Sequence, residues 1–170
     1  LHMSAWLSLK VGLISTACAL LLTFLLVAGW HGTRWFGAIQ QLLSPLLSVP
    51  HAAAALGLVF LIAPSGWISR AVSPGLPGWD RPPDPLIVQD PAGWALIGGL
   101  IVKEVPFLML MTLAALPQAR TGERQAVTAA LGYGRILGWA LAVLPSIYQQ
   151  IRLPVYAVLA YAMSNVDMAM

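Results

Sequence analysis

Two ionisable residues stand side by side, Lys103 and Glu104, inside the otherwise oily run "GLIVKEVPFLML". Charges at mid-depth of a membrane helix cost several kcal/mol unless they face a cavity or a partner. Neighbours in sequence point in different directions around a helix, so these two need not pair with each other. They offer either charge selection along a solute path or pairing with other helices, and the sequence leaves both readings open. Asn165 and Asp167 lie near the far end of the last apolar segment. Asp167 suits a cationic solute at a pathway mouth, or is an ordinary interfacial acid. His51 follows Pro50 and reads as an interface residue rather than a metal ligand. Cys18 is the sole cysteine, so neither a disulfide framework nor a thiolate metal site is expected.

Enzyme chemistry has little to stand on. The chain lacks GxSxG, HExxH, CxxC and the phosphate-binding GxxxxGK[ST] pattern. "GYGRILG" is glycine-rich, but it lacks the lysine and preceding strand that a phosphate loop needs. We expect no catalytic residues, no resident cofactor and no metal.

The elements that must position these residues follow from composition. Of 170 residues, 59 % are hydrophobic and only 9 % charged, with a mean hydropathy of +0.80. A soluble domain carries roughly a quarter charged residues, so the bilayer is the expected solvent. The net charge of +3 is small and scattered, which excludes a nucleic-acid footprint. Val11–Trp30 runs without a charge and predicts a first span beginning near Ala5. A second is expected over Leu46–Trp67, with Pro45 and Pro50 near its start and Pro64 and Gly66 at its exit. A third is expected over Ala92–Leu116, and a last runs from Ser146 toward Met170. Trp6, Trp30, Trp35, Trp67 and Trp94 fall at span ends, as an aromatic belt would.

Residues 68–91 are polar and rich in proline and glycine, and read as a loop. They set Arg70 and Arg81 against Asp80, Asp84 and Asp90. Residues 118–135 instead set Arg120, Arg124 and Arg135 against Glu123 alone. The positive-inside rule places 118–135 in the cytoplasm, 68–91 outside and the N-terminus outside. The opening "LHMSAW" and the closing "SNVDMAM" read as the ends of a fragment of a longer membrane protein. The expected fold is an all-α, polytopic membrane helix bundle. It has about four transmembrane helices in one domain over 1–170.

The cytoplasmic segment carries a spaced pattern. Gly132 is followed by "YGRILGWALAVLP", ending on Leu144 and Pro145. It resembles the cytoplasmic signature of type I, MetI-like permease subunits of binding-protein-dependent ABC importers: E-A-A, three residues, G, nine residues, I, one residue, L-P. Ala126-Val127-Thr128 stand at the E-A-A place and Ala142 at the Ile place, so the glycine and L-P match while Glu and Ile do not. "LLSPLLSVPHAAAALGLVFLIAPSGW", "DPAGWALIGGLIVKEVPFLM" and "AVLAYAMSNVDMAM" are similar to the first half of a thiamine-type importer permease.

The resemblance implies a short coupling helix within 118–145 that takes motion from a separate ABC ATPase subunit. Ala126, Gly132, Tyr133, Arg135, Ile136, Trp139, Leu144 and Pro145 are its candidate coupling residues. Tyr133, Arg135, Ile136 and Trp139 form the expected partner face. Gly132 supplies the turn, because glycine enters the left-handed region cheaply. The resemblance further implies a bacterial inner-membrane location, a second permease half or subunit, and an external substrate-binding protein docking on 68–91. The solute would be small and cationic, thiamine for example. On that reading Lys103, Glu104, Asn165 and Asp167 line the path. The alternatives are a membrane-embedded scaffold without transport activity and, for 122–145, an interfacial helix without a partner.

Overall fold

The computed structural model describes residues 2–63, 66–72 and 93–164, and every described element is helical. In chain order these are α1 (His2–Trp30), α2 (Arg34–Ser48), α3 (His51–Ile62) and α4 (Trp67–Val72), then α5 (Trp94–Ala115), α6 (Thr121–Ala130), α7 (Arg135–Ala142) and α8 (Leu144–Ser164). Asn165, Asp167 and most of the 68–91 loop lie outside the described residues.

Helices α1 and α5 lie side by side and run in the same direction. Near their starts, Gly93 approaches Leu7 and Val11 and the Lys10 ammonium sits 5.1 Å from the Trp94 ring centre. Further along both helices, Ser15 bonds Glu104. Helix α8 packs against both in the opposite sense. Its end meets the start of α1, where a Cβ added to Gly12 would lie 2.5 Å from Met163 Cγ. Its own start contributes Ile147 to a core shared with Val27, Leu108 and Met109. Between apolar helices in a bilayer, the drive comes from close packing rather than from water exclusion. Small residues such as Gly12 and Ala19 let the backbones approach.

Two of these elements match the expected spans closely. Within α1, Ala5–Trp30 is long and apolar enough to cross a bilayer, and so is all of α5. Among the described helices no others meet that test, so the structure does not itself display four spans. Helix α8 is long enough, but Gln149, Gln150 and Arg152 lower its hydropathy. The expected second span over Leu46–Trp67 needs correction. The chain turns helical already at Arg34, breaks at Val49–Pro50, resumes as α3 and ends it at Ile62.

The reason is proline geometry. Pro50 has no N–H for the Leu46 carbonyl and forces the residue before it out of the helical region. Val49 accordingly sits at φ −68, ψ 122. Pro45, by contrast, is accommodated inside α2. Helix α2 buries Phe36 and Leu43 against the core and leaves Trp35 and Leu42 outside.

Candidate functional site

The segment carrying the spaced pattern folds as a helical hairpin, α6 and α7, rather than as one helix. Its turn is a Schellman motif. Gly132 is left-handed at φ +84, the Gly132 N–H reaches the Ala129 carbonyl at 3.0 Å, and the Tyr133 N–H reaches the Thr128 carbonyl at 3.0 Å. These bonds satisfy carbonyls that the end of α6 would otherwise leave unpaired. Gly132 therefore does what its place in the sequence predicts.

The two arms touch through Thr128 and Gly138. A Cβ on Gly138 would fall 2.6 Å from Thr128 Oγ1, so only glycine admits this approach. Thr128 turns its hydroxyl back onto its own helix, donating to Gln125 O at 3.0 Å and Arg124 O at 3.2 Å. Arg124 crosses the hairpin and donates to the Ala142 carbonyl at 2.7 Å, a cation at the C-terminal end of α7. Sequence reasoning missed Thr128 and Arg124. The available signal was Gly138, a small residue ten positions beyond Thr128.

Arg135 and Trp139 anchor the hairpin to α1 and the turn that follows it. Arg135 Nε donates to the Ala28 carbonyl at 2.9 Å, and its Nη2 donates to the His31 carbonyl. Both acceptors lie at the end of α1, where carbonyls lack helical partners. Trp139 is 1 % exposed, with its ring centre 5.7 Å from that of Phe24. This corrects the expected partner face. Trp139 points inward because α7 packs its aromatic side on α1, and Arg135 spends two donors on α1. Tyr133 and Ile136 do face outward, joined by Leu131 and Leu137. Ala126 is also on the surface; Leu144 packs against the core, while Pro145 is exposed near the start of α8.

Between the end of α1 and the hairpin lies an open cleft of about 380 Å³. His31, Gln125, Thr128, Tyr133 and Arg135 supply its polar lining. His31 has its pKa lowered from 6.5, first by burial and second by the positive charge of Arg135.

Lys103 and Glu104 point to different neighbours, as their adjacency requires. Lys103 reaches the break between α2 and α3, with Nζ 2.5 Å from the Val49 carbonyl and 3.4 Å from that of Leu46. The Leu46 carbonyl is the one that Pro50 cannot serve. Glu104 is buried against α1, accepting from Ser15 Oγ at 3.2 Å, while its other oxygen has no partner among the described residues. No ion pair between the two is present among the described residues, where Arg120–Glu123 at 3.9 Å lies on the surface. Nor do the described residues bring together three His, Cys, Asp or Glu side chains that could hold a metal.

The described residues are all-α, with two helices long and apolar enough to cross a bilayer and a short hairpin braced against the end of one of them. No family model matches the chain, and no solved structure does. Among curated proteins it is similar to the inner membrane ABC transporter permease protein YnjC of Escherichia coli (strain K12). The two are 31 % identical over 159 residues, which cover 92 % of this chain. The chain spans 29 % of the length of that relative.

Proposed function

We propose that this chain forms part of the membrane permease of a MetI-like, type I ABC importer, with α6–α7 as the element on which a separate ATPase docks. One observation carries the reading. The likeness to an inner-membrane permease covers 92 % of the chain, too much to leave out the hairpin.

The geometry is consistent with a multi-pass arrangement. Helices α1 and α5 are parallel neighbours, so if both cross the bilayer the chain must return across it between them. Helices α2 and α3 supply that return. They run against α5, from Leu46 and Val49 near Lys103 to Leu58 near Gly99. Together they cover 34–62, roughly 40 Å of helix at 1.5 Å per residue, which exceeds a hydrocarbon core of about 30 Å. Helix α8 then begins a further crossing in the return direction.

In this reading the apolar surface of Leu131, Tyr133, Ile136 and Leu137 meets the ATPase, and ATP-driven movement there passes to α1 through Arg135 and Trp139. Lys103, half-buried at a helix break, remains a path residue, whereas Glu104 serves the packing of α1 on α5. An external binding protein and a second permease half complete the assembly. The solute proposed is a small cation, thiamine being the first to test.

The test is site-directed crosslinking in a reconstituted complex with its ATPase. Cysteines at Tyr133 and Ile136 should crosslink to the ATPase, and one at Trp139 should not. Absence of any crosslink from the exposed positions, in a complex that still hydrolyses ATP, rules out the docking role.

A further inference from the structure

The cleft behind the hairpin has a chemistry that ATPase docking does not use. Its lining holds Arg135 and His31 but no carboxylate. Among the described residues Arg135 bonds only neutral carbonyls, those of Ala28 and His31, and no carboxylate pairs with its charge. Two of its five N–H donors are used there, leaving three for an acceptor. Neither ring nitrogen of His31, nor the Gln125 amide, nor the Tyr133 hydroxyl is hydrogen-bonded among the described residues. The cleft thus gathers polar residues from the α1–α2 turn, α6 and the α6–α7 turn beside a cation held by two hydrogen bonds.

Its position narrows the occupant. His31 and Gly32 directly follow Trp30, the last residue of the apolar stretch in α1, so the cleft opens at the level where headgroups begin. The exposed rings of Trp30 and Trp35 are suited to that same level. Basic pockets between membrane helices at this depth hold phosphate headgroups, because a guanidinium offers two parallel donors to phosphate oxygens. A volume of about 380 Å³ exceeds what one phosphate needs and leaves room for a glycerol backbone.

We infer that this cleft binds a phosphate-type anion, from a phospholipid headgroup or from free phosphate, and that the bound anion pins the α6–α7 hairpin to the end of α1. The inference rests on α1 crossing the membrane, as in the permease reading.

The test uses the full chain purified in a zwitterionic detergent, with mixed micelles of phosphatidylglycerol, of phosphatidylcholine, or with inorganic phosphate alone. Thermal shift and native mass spectrometry read binding. Phosphatidylglycerol should bind in preference to phosphatidylcholine, and Gln125→Glu should weaken it roughly fivefold by placing a carboxylate in the cleft. Arg135→Gln should weaken it at least as much. Gln125→Glu spares the bonds of Arg135 to α1, so it separates loss of the site from loss of the fold. Retention of phosphatidylglycerol against millimolar phosphate identifies the lipid as the source, whereas displacement by phosphate identifies the soluble ion.

Equal binding of both lipids without phosphate binding, unchanged affinity in Gln125→Glu, or binding of an acidic peptide alone overturns the inference. Carbonate extraction of the same protein from membranes keeps the two levels apart. A protein that resists extraction but shows no anion preference refutes the cleft alone; one that is extracted refutes the spanning of α1.

Discussion

The Arg135 guanidinium lies 2.9 Å from the carbonyl of Ala28, a residue 107 positions earlier in the chain. That bond, with its companion to His31, ties the α6–α7 hairpin to the end of a helix long and apolar enough to cross a bilayer. Arg135→Gln should therefore cost about 1–3 kcal/mol, the range for hydrogen bonds to charged groups and newly unpaired carbonyls. The lower end applies, since the side chain is exposed. Arg135→Lys should recover less than half, because an ammonium lacks the planar fork. Thermal unfolding in detergent measures the loss, and faster labelling of a cysteine at the buried Val143, just after α7, reports the hairpin coming free. Equal stability of wild type and Arg135→Gln contradicts the brace.

The contact of Gly138 with Thr128 makes a sharper demand. Gly138→Ala places a methyl 2.6 Å from Thr128 Oγ1 and 3.0 Å from its Cβ. A threonine cannot swing away as a long side chain can, so overpacking should cost about 1–3 kcal/mol. Thr128→Ala in the same protein should restore part of that loss by removing the hydroxyl. A double-mutant cycle by thermal unfolding checks it, and additive effects argue against direct contact.

At Gly132 the cost has a different origin. Nothing lies within 4 Å of a Cβ built there, yet φ is +84. Gly132→Ala should lose about 1 kcal/mol from backbone strain, while Gly132→Asn, which tolerates the left-handed region better, should lose less. Equal stability of the two variants means that conformation is not what the position selects.

His31 gives a dependence on pH. Its pKa is lowered from 6.5 in the folded protein, by burial first and by Arg135 second. The unfolded chain then binds the proton more readily, and stability rises with pH wherever that holds. The contribution is complete above about pH 6.5 and is lost as pH falls through the lowered value. Unfolding temperatures measured from pH 7.5 to 5 should fall more steeply for wild type than for His31→Gln. Parallel curves exclude His31 as the source.

Much of this was legible in the sequence. Apolar runs of bilayer length mark α1 and α5, free of charge over Val11–Trp30 and broken only by Lys103-Glu104 in α5, because a helix that must satisfy its own backbone in lipid needs little besides length and composition. Gly132 was legible for a related reason: a helix stop is a local event, decided by which residue can take a positive φ. Pro50 was visible too, but its reach was not. A proline states which carbonyl it cannot serve, not that Lys103, 57 residues from Leu46, would serve it.

The inward turn of Trp139, the brace of Arg135 on Ala28 and the opposed directions of Lys103 and Glu104 belong to the tertiary structure. Each depends on which helix lies alongside, and spacing along the chain carries no record of that. The sequence by itself determined the courses of α1 and α5, the stop at Gly132 and the apolar setting, but not the course of α2 and α3. The packing of α7 on α1 decided which of its residues anchor the hairpin and which remain on the surface. An arginine or tryptophan offers the same donors and the same apolar area in either place, and only the neighbour settles how they are used.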